Sequence, residues 1–507
     1  MSDRRQRAST FARDALTLSF GAVFAQALGL IVVPLLARLY APEAFGLLAL
    51  FGSISGTIAV ISCLRYEMSI MLPETDEEAA NLLVLSIALS ALVGLATIPL
   101  LWFGRPWILK WLDAPELAPY LWMAPPTIFF GGAFLALNYW VSRGRRFGRL
   151  SFARVLSSVV MSAVQLGSAL AGFATAGGLI AGSVISHGAA TGYLGGASLR
   201  EEGRVLLKSV TWRGIMAGMS RHRKFPLFST WATLLNTVSW QLPAFLLAAF
   251  FSTTVVGFYA LGTRLLRVPM DLVGRAIGQV FYQRAAEART EGTLPELVTG
   301  VFRRLVLFGM FPMLVLSVIG RDLFVIVMGN DWAEAGVYSQ ILAVWMFFWF
   351  TASPLSLLYS VLERQESSLV VNVVIFTTRL GSLVVGGWYG NARLALALFA
   401  LTGIVVYGGQ SLWIMNQAGV PWTRLLGILL ANAAVTVPAV LALAAFCRVW
   451  PSEWAALGAA ALLTLAYGLY VLKKDPHVRD MALENPLIGG IVRCSLRAPI
   501  WSKSYRL

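Results

Sequence analysis

Three arginines and one aspartate lie at helical spacing inside an apolar stretch, where charged side chains are rare. The stretch runs from Gly257 to Tyr282 and is long enough to cross a bilayer. Its charged residues are Arg264, Arg267, Asp271 and Arg275. At about 100° per residue they share one stripe of a continuous helix. Guanidinium groups bind phosphate oxygens through paired, charge-assisted hydrogen bonds, so the stripe predicts a binding site for a phosphate-bearing anion.

A charge inside the hydrocarbon core is costly unless it faces a protein interior or a water-filled cavity. We therefore interpret 257–282 as a helix that lines a wet, cationic cavity, with Asp271 holding the arginine geometry. The alternative is that Arg275 reaches an interface along its aliphatic stem, so that only part of the stripe is internal. Pro269 lies within the stripe and predicts a kink there.

Three further polar residues are candidates for substrate binding. Asn236 and Gln241 lie in the predicted span before the stripe, and Arg65 lies at the inner end of the second predicted span. Amides within spans line hydrophilic lumens or join helices by hydrogen bonds, and both interpretations stay open. Arg65 either contacts the ligand or caps a helix end. Because Arg65 and Glu67 are two positions apart, they are not expected to face each other along a helix.

The composition is that of a polytopic membrane protein. Hydrophobic residues make up 58% of the 507 residues and charged residues only 13%, and apolar runs of membrane-spanning length recur. The net charge of +15 lies between these runs, which fits the positive-inside rule and anionic headgroups better than nucleic acid. The three cysteines and three histidines are scattered, so no disulfide framework, metal site or cofactor is expected. No GxxxxGK[ST] motif for ATP is present.

Apolar runs predict an all-α fold of about fourteen transmembrane helices. Their predicted ranges are 15–38, 43–70, 80–103, 117–141, 150–172, 176–198, 226–250, 255–282, 298–320, 335–361, 368–388, 393–415, 425–447 and 454–472. Lysines and arginines are concentrated in the loops on the side of the N-terminus, and Lys473 and Lys474 follow the last span on that side. This bias predicts that both termini are cytoplasmic.

A weak internal repeat and a basic connector divide the chain into two halves. Leu35-Leu36-Ala37, Gly46 and Ala49-Leu50 match Leu246-Leu247-Ala248, Gly257 and Ala260-Leu261 at a constant offset of 211 residues. The predicted organisation is a six-helix bundle at 1–198, a basic cytoplasmic linker at 199–225, a second six-helix bundle at 226–416, two additional helices at 417–473 and a cytoplasmic tail at 474–507.

Two six-span repeats have the same orientation, so we expect a pseudo-twofold axis along the membrane normal and a substrate path between the halves. At the 211-residue offset, Arg264 and Arg267 fall on Ser53 and Gly56. The cationic wall is therefore expected in the second half only, facing a small-residue helix in the first.

Two segments of the first half resemble the Wzx-type oligosaccharide flippases of bacteria, in the polysaccharide transporter branch of the multidrug/oligosaccharidyl-lipid/polysaccharide exporter superfamily. One is residues 34–86 and the other is NYWVSRGRRFGRLS at 138–151, similar to that family's loop after the fourth span. The features in the first segment are Leu39-Tyr40, Pro42-Glu43, Phe45-Gly46, Arg65-Tyr66-Glu67, Leu72-Pro73 and Glu78-Ala79.

The resemblance implies two six-helix bundles that work by alternating access in the bacterial inner membrane. The implied substrate is an undecaprenyl-diphosphate-linked oligosaccharide for surface polysaccharide, moved from the cytoplasmic to the periplasmic leaflet. Membrane lipids, a polysaccharide polymerase and chain-length proteins are the implied partners. Three alternatives remain: a drug/cation antiporter of the same superfamily, which predicts acids deep in one lobe; a polysaccharide polymerase or ligase, which needs a sizeable outer loop; and a non-transporting scaffold.

Overall fold

The computed structural model describes residues 2–474 except 269 and 271–273, and side chains from residue 21 onward except those of 205–207, 275, 276 and 279. The described chain is helical throughout, without strands. Its α-helices are α1 (Ser2–Leu39), α2 (Pro42–Ile61), α3 (Tyr66–Ser69), α4 (Asp76–Leu112), α5 (Ala124–Arg143), α6 (Phe147–Leu170), α7 (Ala176–Ser209), α8 (Trp212–Arg221), α9 (Thr230–Phe250), α10 (Thr253–Leu266), α11 (Arg275–Glu291), α12 (Leu294–Met328), α13 (Ala333–Leu355), α14 (Leu358–Val361), α15 (Gln365–Trp388), α16 (Ala392–Gln417), α17 (Trp422–Val449) and α18 (Glu453–Lys474).

Twelve helical segments of the described chain are long and apolar enough to cross a membrane. The predicted class, an all-α polytopic membrane protein, is confirmed. Two of the fourteen predicted spans, 176–198 and 255–282, are not among the twelve. The first coincides with α7, where many glycines and serines lower the mean hydropathy. The second is divided between α10 and α11.

The predicted helix over 257–282 is described in two α-helical parts. α10 ends at Leu266 after 14 residues, and α11 begins at Arg275. Arg267 and Gly274, which lie between them, both have right-handed helical backbone angles. Pro269 and residues 271–273 lie outside the described residues, so the continuity of the helix and the kink at Pro269 stay predictions.

The two halves of the chain meet at one end of the bundle, which we call the closed end. There, α2 begins at Pro42 and α10 begins at Thr253, positions 211 residues apart. A Cβ atom at Gly46 would overlap the carbonyl oxygen of Thr253, and one at Gly257 would overlap that of Pro42. The helices therefore cross at backbone contact, through glycines that the predicted repeat aligns.

Side-chain bonds reinforce the closed end. The Arg38 guanidinium donates to the carbonyl oxygens of Ile326 at 2.8 Å and Val327 at 3.2 Å, near the end of α12. The Trp332 indole N–H donates to the Ala37 carbonyl at 2.7 Å, and its ring packs edge-on against Phe45. A cation at helix C-terminal carbonyls also complements the helix dipole.

Small residues and aromatic rings both pack the interior. Small residues bring helices close together, as where Gly132 of α5 lies against Ser62 and Ser90 and Gly386 of α15 lies against Ala395 of α16. Aromatic rings fill the interior of the second half, as in the edge-on pair of Trp345 and Phe399. Small residues allow close backbone approach in a membrane, whereas aromatic cores contribute larger buried areas.

Candidate functional site

A cavity of about 880 Å³ lies between the halves, beyond the crossing of α2 and α10. Helices α1, α2, α5, α6 and α7 from the first half and α9 and α10 from the second contribute side chains to its wall. Ser53 and Arg264 each lie eleven positions into their helix, about 16 Å from its start. The repeat therefore places equivalent positions of the two halves across one cavity.

The charged residues among the described lining are three arginines, Arg154, Arg264 and Arg267, and no carboxylate is among them. Arg264 is exposed to this space. Its Nη2 atom approaches Gly29 of α1, where the absent side chain leaves room for the guanidinium. Arg267 follows the last residue of α10, and its Nε atom is buried without a hydrogen-bond partner. A lining with this charge favours anions.

Neutral polar groups complete the wall. The Ser53 hydroxyl of α2 donates to Gln241 Oε1 of α9 at 3.3 Å, which joins the two halves across the cavity. His187 of α7 has its Nδ1 atom 2.7 Å from the Ser183 carbonyl oxygen. A carbonyl only accepts, so Nδ1 carries the hydrogen and Nε2 stays available to other partners.

Trp240 links the cavity to a fourth arginine in the core of the second half. The Arg267 guanidinium carbon lies 5.4 Å from the Trp240 ring centre, and that of Arg379 lies 4.3 Å from it. Arg379 is buried and donates to Ser239 and to the Tyr407 hydroxyl. Trp240 lines the main cavity, whereas Arg379 borders a separate small void between α13, α15 and α16.

The structure brings together three of the seven predicted site residues: Arg264, Arg267 and Gln241 line the cavity. Asn236 is exposed on α9 and is not among the lining residues. Arg275 is the first residue of α11, and its side chain is outside the described set; Asp271 also lies outside the described residues.

Arg65, the seventh predicted residue, lies at the far end of α2, away from the cavity lining. Its Nη1 atom lies 3.3 Å from Glu67 Oε1, although we expected these two residues not to meet. Arg65 has φ = 64°, so it precedes α3 in the left-handed region, and helical spacing does not apply. Glu67 is fully buried, and this burial raises the pKa of its carboxyl against the opposing effect of Arg65.

Sequence reasoning missed Arg154, Arg379 and His187. Arg154 corrects the expectation that only the second half supplies cationic wall, because it projects from α6 of the first half. Arg154 lies one helical turn inside a predicted span, and a charged residue at such a position indicates a side chain that faces the protein interior or a cavity. Arg379 stood inside a predicted span, and a buried arginine there marks a functional site by default. Among the described residues, no cluster of three or more His, Cys, Asp or Glu is arranged to hold a metal.

Comparison with solved structures shows a fold shared with two kinds of transporter. The lipid II flippase MurJ, in an inward closed conformation, superposes with a TM-score of 0.70 at 13% identity, covering 90% of this chain and 99% of its own. A multidrug resistance MATE family transporter of the MOP superfamily, in an inward-facing conformation, gives 0.56 at 16% identity, covering 80% and 94%. The Vibrio cholerae MATE transporter VcmN gives 0.53 at 14% identity, covering 82% and 98%.

No curated protein matches the sequence. A family model described as "Polysaccharide biosynthesis protein" matches residues 35–337, more than half of the chain. The matched range begins in α1 and ends in α13, so it includes every lining residue from Ala49 to Val268. The cationic cavity is thus built largely from the segment that defines the family, and the chain belongs to the family of polysaccharide biosynthesis proteins.

Proposed function

We propose that this protein is a flippase that moves undecaprenyl-diphosphate-linked oligosaccharides across the bacterial inner membrane, for the synthesis of a surface polysaccharide such as O-antigen, exopolysaccharide or capsule. The observation that carries the proposal is the cavity with Arg154, Arg264 and Arg267 and no carboxylate among its described lining residues. Membership of a polysaccharide biosynthesis family and the fold of a lipid II flippase support it.

The diphosphate is the part of the substrate that these arginines suit. Guanidinium groups pair with phosphate oxygens in two parallel hydrogen bonds, and such charged bonds contribute about 1.5–3 kcal/mol each. Arginines from both halves would hold the diphosphate between them. The oligosaccharide would occupy the remaining cavity beside Gln26, Gln241 and the serines of α6. The polyprenyl chain would stay in the lipid.

The closed end supports an alternating-access mechanism. In the orientation predicted from loop charge, both termini are cytoplasmic and the closed end faces the periplasm. Substrate would enter from the cytoplasmic side and leave after the contacts of Arg38 and Trp332 separate. The proposed organisation keeps the predicted bundles, 1–198 and 226–416, as the moving bodies.

The MATE-like fold makes a drug/cation antiporter the second candidate. Organic cations require acidic groups in the binding space, and the described lining supplies arginines instead. A polymerase or ligase would require a sizeable outer loop, but the described connections at the closed end are short, as between α1 and α2 and between α9 and α10. Anion transport therefore agrees best with the geometry.

The decisive experiment is flipping in proteoliposomes. The purified full chain is reconstituted with a fluorescent undecaprenyl-diphosphate-linked sugar, and an impermeant quencher reports the fraction in the outer leaflet. We expect Arg264→Ala and Arg267→Ala each to slow flipping at least tenfold. Arg284→Ala is the matched control, because Arg284 is an exposed arginine of α11 outside the cavity lining.

Equal flipping by the wild type, Arg264→Ala and Arg267→Ala would contradict the role of the arginines. Absence of flipping by the wild type with several lipid-diphosphate sugars, together with efflux of a cationic dye, would instead favour the antiporter. In cells, we expect Arg264→Ala and Arg267→Ala to reach normal levels in the membrane but to abolish surface polysaccharide.

A further inference from the structure

Arg379 is a buried cation that the proposed function does not use. Only 4% of its surface is exposed, and it lies in α15 within the second half. Among the described residues, no carboxylate forms an ion pair with it. Buried arginines without such partners are rare in membrane helices because the charge loses its hydration. A residue retained at this cost is expected to act on a functional site.

Three hydrogen bonds hold the Arg379 guanidinium in one orientation. Nη1 donates to the Ser239 carbonyl oxygen at 3.2 Å and to the Ser239 hydroxyl at 3.3 Å. Nη2 donates to the Tyr407 hydroxyl at 2.8 Å. These partners come from α9 and α16, so the planar group is fixed between three helices.

The fixed guanidinium lies over Trp240, the neighbour of Ser239 in sequence. Its carbon is 4.3 Å from the Trp240 ring centre, within the range of a strong cation–π contact. Trp349 contacts the same ring at a centroid distance of 5.3 Å and at 65°. Trp240 is thereby held by its own backbone, by Arg379 and by Trp349.

Trp240 in turn contacts Arg267 of the cavity. The Arg267 guanidinium carbon is 5.4 Å from the ring centre, and its buried Nε atom has no hydrogen-bond partner. An arginine that follows a helix end has several long-chain rotamers available. Contact with a fixed ring selects among them, so the orientation of Trp240 sets where this guanidinium meets a ligand.

We propose that Arg379 is a positioning residue for the anion site: it fixes the Trp240 ring, and the ring holds Arg267 in the orientation that binds the diphosphate of the substrate. Arg379 does not line the main cavity and does not touch the ligand. The proposal rests on the proposed function for the identity of the anion. The series of contacts from Arg379 to Trp240 to Arg267 does not depend on which anion binds.

Arg379→Met should change binding as well as stability. Methionine of similar length removes the buried charge but leaves the Ser239 carbonyl, the Ser239 hydroxyl and the Tyr407 hydroxyl without their donor. We expect the melting temperature of the purified chain to fall, and the affinity of the folded protein for inorganic pyrophosphate to fall about tenfold. A merely structural arginine would lose stability but keep affinity. The double variant Arg379→Met with Tyr407→Phe also removes the Tyr407 hydroxyl, which would otherwise lose its partner. It replaces the single variant in the binding measurement if Arg379→Met folds poorly.

A double-mutant cycle tests the route through Arg267. If Arg379 acts through this residue, Arg379→Met in an Arg267→Ala background should lower pyrophosphate affinity less than twofold further. A second tenfold loss would overturn the proposal, because it would show that Arg379 acts independently of Arg267. Orthophosphate, which reaches fewer guanidinium groups, should show a smaller effect of Arg379→Met than pyrophosphate.

A ligand-free measurement separates this proposal from the proposed function. With 5-fluorotryptophan incorporated, the ¹⁹F resonance of Trp240 is assigned by its loss in Trp240→Phe. We expect one resonance in the wild type, and broadening or splitting in Arg379→Met. An unchanged resonance would overturn the positioning role whatever the ligand. If the wild type bound no pyrophosphate but the resonance changed, the substrate assignment would fail and the positioning of Trp240 would stand.

Discussion

Arginines near the helix ends and arginines inside the bundle are used in different ways. In the first half, arginines at the ends of α5 and α6 form ion pairs: Arg143 with Asp76, Arg146 with Glu202, and Arg149 with Glu201. In the second half, Arg264, Arg267 and Arg379 lie deeper in the bundle, and no carboxylate of the described chain pairs with them. Their recorded neighbours are a glycine, an aromatic ring and hydroxyl groups.

This difference separates arginines that hold the fold from arginines that are available to a ligand. A partly exposed pair stabilises modestly and needs no further partner. A guanidinium inside a membrane bundle without a carboxylate keeps its binding capacity for an incoming anion. Arg154 of the first half also lines the cavity, so the distinction follows position in the bundle and not the half of origin.

The largest expected effect is a loss of stability at Gly46 and Gly257, the two glycines that the internal repeat aligns. Gly46→Ala and Gly257→Ala each drive a Cβ atom into a backbone carbonyl of the opposite half. We expect each to destabilise the protein by about 3 kcal/mol, the upper range of overpacking, because backbone atoms cannot swing aside. Thermal unfolding in detergent measures this. Gly56→Ala, in open space on α2, is the control and should be nearly neutral. A large difference in stability between Gly46→Ala and Gly257→Ala would show that the two positions are not equivalent.

Arg154→Ala should produce the next largest effect. Loss of a cavity guanidinium should weaken pyrophosphate binding about tenfold, or about 1.4 kcal/mol. Isothermal titration of the purified chain measures it. Arg149→Ala is matched on the same helix, since Arg149 pairs with Glu201, and should leave binding unchanged. Equal affinities for Arg154→Ala and the wild type would restore the simpler view that only the second half binds.

Arg143→Met should lower stability without changing binding. The Arg143 guanidinium donates to the carbonyl oxygens of Pro73 at 2.7 Å and Ile70 at 3.3 Å, in addition to its ion pair. Leaving these carbonyls unpaired should cost about 1–2 kcal/mol. Thermal unfolding and pyrophosphate titration on the same sample test both parts. A tenfold loss of affinity at full stability would place this residue with the binding arginines.

The smallest effect is expected for Arg393→Gln in the second half. Arg393 forms a two-point ion pair with Glu334, at 2.8 and 2.6 Å, on the exposed side of α16. Exposed pairs contribute about 0–1 kcal/mol, so a melting shift of at most a few degrees is expected, with unchanged binding. A larger loss would show that paired arginines are not equivalent in the two halves.

Hydropathy and the cost of charge in a membrane predict much of this architecture. The apolar runs predict the helical class, and the charges at Arg264 and Arg267 predict the cationic wall. The predicted ranges are less accurate at helix ends: α2 ends at Ile61, before the apolar pattern does, and Leu64 and Arg65 then adopt left-handed backbone conformations. Arg154 and Asn236 show the same limit, because a single helix does not reveal which of its faces meets the other half.

Gly46 and Gly257 also have a mechanical consequence. Their helices touch near the closed end, and α2 continues to Ile61, about 23 Å beyond Gly46. While the closed end stays closed, a rotation of about 20° about this contact would displace the far end of α2 by about 8 Å. Arg264, about 10 Å beyond Gly257 along α10, would travel about half as far. The two glycines would thus set how widely the opposite side of the cavity opens.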